Sequence, residues 1–162
     1  RTNNSTVIYR LPGIFGKFSK HNYNSVVATF CHNIARSLPI TISNADFILE
    51  LSYIDDLVDE LLEASTCIKP GLVWGKVLPT HNITVKELAE QINAFKNCRS
   101  SLHLERVGTS LTRALYSTYI SYLPPEKFVY DLPQYTDKRG TFVEMLRHQI
   151  VANFRFLQYR LE

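Results

Sequence analysis

The sequence predicts a mixed, helix-rich α/β protein. Three observations point there. Runs of β-branched and aromatic residues alternate with amphipathic stretches, and Pro and Gly punctuate the joints between them. Apolar residues fill 45% of 162 positions, enough for one domain with a core of its own. Charged residues make up 20%, so the chain is not expected to stay unfolded.

Thr6-Val-Ile-Tyr-Arg10 reads as a strand. Pro12 cannot donate to a ladder and Gly13 frees the backbone, so a loop is expected from there. Asn24 to Ser37 reads as a helix capped by Asn24 or Ser25, with Val26, Val27, Phe30 and Ile34 on one face and Pro39 as its stop. Phe47 to Ile54 is a second strand. The following LVDELLEAS is a helix whose Leu57, Val58, Leu61 and Leu62 share a face, with Asp55 and Asp56 in the first turn, where the dipole favours them. Gly71 to Val77 is a short strand. Thr84-Val-Lys-Glu87 is a capping box opening a helix that is expected to end near Asn97. Leu104 to Tyr122 reads as one further helix, because Val107, Leu111, Leu115 and Tyr119 recur in steps of four. Pro124-Pro125 breaks it. A loop follows to Gly140-Thr-Phe-Val-Glu144, a strand, and residues 146–162 carry no assignment.

The net charge of +3 is mild, and Lys and Arg are scattered with no block of five or more, which speaks against nucleic acid. No apolar run reaches the ~18 residues of a membrane span. Cys31, Cys67 and Cys98 are widely spaced and show no metal-binding spacing, so reduced thiols in a cytoplasmic protein are expected. The five histidines show no HxH or HExxH pattern, so no metal is expected. Asp55-Asp56 sits about 100° apart on a helix and does not converge on one atom, so helix capping is the better reading. Asn22-Tyr23-Asn24-Ser25 precedes a helix N-terminus, where free N–H groups and the dipole attract an anion; plain capping explains the same residues equally well. Tyr116, Tyr119 and Tyr122 are read as packing residues.

YRLPGIFGKFSKHNYNSVVATFCHNIA followed by SYIDDLVDELLEA resembles the extended short-chain dehydrogenase/reductases acting on nucleotide sugars, and among them the bifunctional reductases of bacterial capsular polysaccharide synthesis. LYSTYISYLP and DKRGTFVEM resemble that family's linker and the opening of its cupin. The resemblance implies the C-terminal, substrate-binding part of the fold without the Rossmann half, ending in a short cupin-like strand. It divides the chain into residues 1–122 (substrate-binding region), 123–145 (linker and cupin-like segment) and 146–162 (unassigned tail).

The family reduces a keto sugar nucleotide with NADPH on the route to UDP-N-acetyl-L-fucosamine. The resemblance implies that Pro12 and Gly13 back the nicotinamide. It implies that Asn22, Tyr23, Asn24 and Ser25 lie at the diphosphate, and that Arg139 and Glu144 belong to a D-x-RG-x-F-x-E sugar-nucleotide motif, in which a guanidinium fork suits phosphate. Gly13 stands where the family is expected to carry Asn. No glycine-rich coenzyme loop and no Tyr-x-x-x-Lys pair occurs in the sequence, which also has no initiator Met. The chain is therefore expected to be an internal piece of an enzyme, without catalytic residues or a cofactor of its own, retaining weak UDP-sugar affinity. The alternative is a non-enzymatic interaction scaffold. In either case a homodimer or higher oligomer is expected, because a bare strand edge invites pairing.

Overall fold

The β-branched run Thr6-Val-Ile forms strand β1 (Ser5–Tyr9). The structure is a computed structural model and describes residues 5–66, 71–148 and 154–159. Pro12 keeps the segment after β1 out of the ladder, but the chain re-enters a sheet at once as β2 (Gly13–Phe15), where the sequence pointed to a loop. The cause is non-local: β2 runs parallel to β3 (Ile48–Tyr53), with Gly13 opposite Leu51. A Cβ at Gly13 would lie 3.1 Å from the Glu50 carbonyl oxygen and 3.1 Å from Leu51 Cδ2, so close strand approach is itself a reason for glycine there.

Helix α1 (Val26–Ala35) starts at Ser25, whose Oγ accepts from the Ala28 N–H at 3.2 Å. Val27, Phe30 and Ile34 of the predicted face are buried, joined by Cys31, while Val26 is half-buried. β3 leads directly into α2 (Ile54–Thr66). Of the predicted apolar face of α2, Leu57 is buried, while Val58, Leu61 and Leu62 are exposed. β4 (Gly71–Gly75) pairs in parallel with β1, Val7 opposite Val73. β5 (His81–Thr84), also absent from the sequence reading, lies antiparallel on β3.

Helix α3 (Val85–Ser101) carries the predicted capping box in full: Glu87 N–H donates to Thr84 Oγ1 at 3.1 Å, and Thr84 N–H donates to Glu87 Oε2 at 2.9 Å. It runs one turn past Asn97 and stops at Leu102, whose φ of 59° is left-handed. The single helix expected over Leu104–Tyr122 is shorter. A strand β6 (His103–Leu104) and a turn come first, and α4 spans Ser110–Ser121 behind Thr109. Val107 continues the four-residue step by coincidence, because Gly108 and Thr109 set the helix start after it.

A 3-10 turn (Pro125–Lys127) leads to β7 (Gln134–Asp137), which the sequence left as loop. β7 forms a hairpin with β8 (Gly140–His148), and β9 (Phe154–Tyr159) pairs antiparallel with β8 inside the tail. The boundary set at 145/146 thus falls within β8.

Among the described residues the strands form three sheets: β1-β4, β2-β3-β5, and β6-β8-β7 with β9 on β8. The core lies where α1, α3 and α4 meet β2 and β3. Phe95 packs edge-on against Tyr116 at 5.2 Å, and Tyr119 is 1% exposed, so these tyrosines pack as the sequence suggested. The trailing end of α1 is tied to the segment after α4. Arg36 Nη1 donates to the Tyr122 carbonyl at 2.8 Å and Lys127 Nζ donates to the Ala35 carbonyl at 2.8 Å; the segment ahead of α1 is tied as well, the Tyr122 hydroxyl donating to the Ser19 carbonyl.

Candidate functional site

The segment before α1 folds back along the helix. Asn22 takes φ 52°, and its N–H donates to Thr29 Oγ1 at 2.9 Å; Thr29 Oγ1 donates in turn to the Ser25 carbonyl at 2.9 Å. His21 stacks face to face on His32, ring centroids 3.5 Å apart. Withdrawal from solvent, then the neighbouring His32, Arg36 and Lys20, push the His21 imidazole below its ordinary value.

A groove of about 410 Å³ opens beside the first turn of α1. Asn24, Ser25, Val26 and Val27 line it from the start of α1, and Gly13, Phe47, Ile48, Leu49 and Glu50 line it from the paired β2–β3 side. Ser25 spends its hydroxyl on the helix cap. The N–H groups of Val26 and Val27 have no intrahelical acceptor by helix geometry, and both residues line the groove. The first turn of α1 holds no acidic residue, whereas α2 opens with Asp55 and Asp56 and α3 with Glu87. An anion is therefore favoured at α1 and opposed at α2 and α3. Among the described residues of the lining Glu50 is the charged one, and its carboxylate can accept from hydroxyl groups.

Of the residues singled out in the sequence, Gly13, Asn24 and Ser25 meet in this groove. Pro12, Asn22 and Tyr23 stand outside its lining; Asn22 and Tyr23 are exposed, and Lys20 Nζ lies 5.4 Å from the Tyr23 ring centre. Arg139 and Glu144 belong to the β7–β8 hairpin. The Arg139 fork bonds to Asp137 within the turn, Nη2 to Oδ2 at 2.9 Å and Nε to Oδ2 at 3.2 Å. These bonds, led by the one from the Arg139 backbone N–H, hold the Asp137 carboxyl below its usual range. Glu144 is buried on β8. The sequence reading missed the β3 wall from Phe47 to Glu50. The exposed apolar pair Phe47-Ile48 at a strand start was the available signal.

Burial drives the Cys31 thiol far upward, so it is packing rather than nucleophile; Cys98 is also buried, and Cys67 lies outside the described residues. Among the described residues no group of three or more His, Cys, Asp or Glu is placed to hold a metal, and no helix is long and apolar enough to cross a membrane. Gly13 lies against β3, and Pro12 precedes it outside the lining of the groove.

Over 149 residues, 92% of its length, the chain is 51% identical to the UDP-2-acetamido-2,6-beta-L-arabino-hexul-4-ose reductase of Pseudomonas aeruginosa. The chain is a homologue of part of that reductase. It spans 40% of the length of that reductase. It also superimposes on the capsular polysaccharide assembling protein CapF of Staphylococcus aureus, with TM-score 0.79 and 38% identity, over 88% of this chain and 39% of CapF. A UDP-glucose 4-epimerase from Thermotoga maritima, solved with UDP-glucose, shares the fold at TM-score 0.56 and 16% identity, over 72% of this chain and 45% of the epimerase. No protein-family model matches the chain.

Proposed function

We propose that this chain is the substrate-side portion of a nucleotide-sugar reductase of capsular polysaccharide synthesis, on the route to UDP-N-acetyl-L-fucosamine, and that the groove at α1 receives the diphosphate of a UDP-sugar. The observation that carries the reading is the meeting of Gly13, Asn24 and Ser25 at a carboxylate-free helix start, in a chain 51% identical to a UDP-sugar reductase. The unsatisfied N–H groups of Val26 and Val27 donate to phosphate oxygens, and Glu50 accepts from hydroxyls across the groove. NADPH supplies the hydride in such reductases when it is bound. The residues of this chain provide a wall for the substrate but no Tyr-x-x-x-Lys proton donor, so the isolated polypeptide binds without turnover.

Calorimetry with UDP and UDP-N-acetylhexosamines tests this. Binding in the micromolar to low-millimolar range is expected. Val26→Pro removes one N–H at a position where proline suits a helix start, and weakens binding about tenfold. No heat of binding with either ligand overturns the groove assignment, and NADPH-dependent reduction of a keto sugar nucleotide by the pure chain overturns its silence. A second reading is favoured by the exposed apolar side chains of β4 and α2: a non-enzymatic oligomeric scaffold. Silence toward every UDP-sugar together with a stable oligomer supports it.

A further inference from the structure

Between β2 and α1 the chain makes a short strap that folds back along the helix. Two left-handed residues mark its ends, Phe18 at φ 63° and Asn22 at φ 52°. A residue with a Cβ adopts that conformation at a cost, and keeps it only where its surroundings hold it there. Three contacts hold the strap. The Tyr122 hydroxyl donates to the Ser19 carbonyl, the His21 ring lies on the His32 ring, and the Asn22 N–H donates to Thr29 Oγ1 at 2.9 Å. Thr29, His32 and Arg36 are three and four residues apart, so one face of α1 receives the strap.

The middle contact differs from the other two, because it depends on charge. The two imidazoles are parallel within 3° and their centroids are 3.5 Å apart. A stack at that distance tolerates a single charge, whereas two imidazolium ions repel each other. The surroundings add to the repulsion. Arg36 and His32 face His21 from α1 and Lys20 from the strap itself, and among the described residues no carboxylate acts on it. Tyr122 meets the strap from behind α4, and burial raises its hydroxyl above the ordinary value, so it brings no charge. His32 is fixed in place. Asn33 Nδ2 donates to the Pro39 carbonyl at 3.0 Å, which leaves Asn33 Oδ1 to accept from His32 Nδ1 at 3.1 Å. His21 is therefore the ring that moves when the pair is charged.

We propose that Phe18–Asn22 is a pH-sensitive strap, held on α1 by the His21–His32 stack and released when acid charges both rings. Desolvation, then His32, Arg36 and Lys20, hold the His21 imidazole below its ordinary 6.5. The closed strap is thus fully favoured above pH 6.5 and loses that advantage as pH falls from there through the lower, folded value. Release reaches the groove directly. Asn24 and Ser25 follow the strap and line the groove, and Ser25 also caps α1. Acid loosens this wall while Val27, Phe30 and Ile34 stay packed in the core. The inference does not rest on the nucleotide-sugar reading.

Ring-proton NMR and amide hydrogen exchange on the whole chain, from about pH 7.5 to about pH 5, test the strap. The Cε1 protons of His21 and His32 are expected to lose their mutual ring-current shifts as the rings titrate. The opening constant of the Asn22 amide, corrected for the intrinsic pH dependence of exchange, is expected to rise about tenfold for each unit by which stacking lowers the His21 midpoint. Amides of Phe30 and Cys31 stay protected throughout. His21→Phe keeps a flat ring over His32 that takes up no proton, and is expected to leave Asn22 protected in acid. An Asn22 amide equally protected at both ends of the range overturns the proposal. So does a His21→Phe chain that opens with the unsubstituted midpoint, or a simultaneous loss of protection at Asn22 and Phe30, which is unfolding of the core rather than release of a strap.

Discussion

Helices α1 and α2 have 10 and 13 residues, and each carries an apolar stripe, yet α1 buries six residues and α2 buries Leu57 alone. The difference lies in their neighbours. α1 is met by α3 and α4 and rests on β2 and β3, and its apolar side is closed by Phe95, Leu115 and Tyr119. α2 follows β3 without a loop and looks onto a two-stranded ladder. An amphipathic pattern therefore declares which side of a helix avoids water. It does not declare what will cover that side.

The largest test of this contrast is a pair of truncations. Phe30→Ala on α1, at a site 3% exposed, is expected to cost about 3–5 kcal/mol in urea unfolding. Leu62→Ala on α2, at a site 61% exposed, is expected to stay within about 0.5 kcal/mol for the monomer. Equal losses would break the comparison by showing that α2 has a cover in solution.

A smaller effect sharpens it at the helix starts. Thr84→Ala removes the side-chain half of the α3 cap and is expected to cost about 1 kcal/mol. The Thr84 backbone N–H, then its hydroxyl, hold the Glu87 carboxyl below its ordinary 4.5. A depressed carboxyl stabilises the fold above that value, and the contribution is lost as pH falls through the lower, folded one. Thr84→Ala is expected to flatten part of the acid limb of a stability–pH curve.

The smallest effect belongs to the segment leading into α1. The His21 ring is held below its ordinary 6.5, so the fold prefers it neutral. Its stabilisation is complete above pH 6.5 and is lost as pH falls from there through the folded value. His21→Ala is expected to remove that slope, read by thermal unfolding between pH 7.5 and pH 5. An unchanged slope would assign the titration to another group.

What the sequence revealed follows the range of the forces involved. α1 and the start of α3 were legible because Ser25 and the Thr84–Glu87 box cap them locally, within three residues. β2 was not, since three residues following a proline become a strand only when β3 lies alongside. β5 was missed for the same reason, whereas β7 was missed although its partner β8 follows in a tight hairpin. In the groove, Asn24 and Ser25 were legible from helix-start chemistry, and Gly13 through the family resemblance. The wall from Phe47 to Glu50 is far away in sequence and is brought there by the β2–β3 pairing alone.

The bonds from Arg36 and Lys127 moor α1 at its trailing end, while the first turn at its leading end lines the groove. Ten helical residues make a lever of about 15 Å, so a tilt of about 4° about that mooring carries the front amides roughly 1 Å. A shift of the polypeptide after α4 that tilted the helix about this mooring would therefore be felt at the mouth of the groove, from the opposite end of the helix.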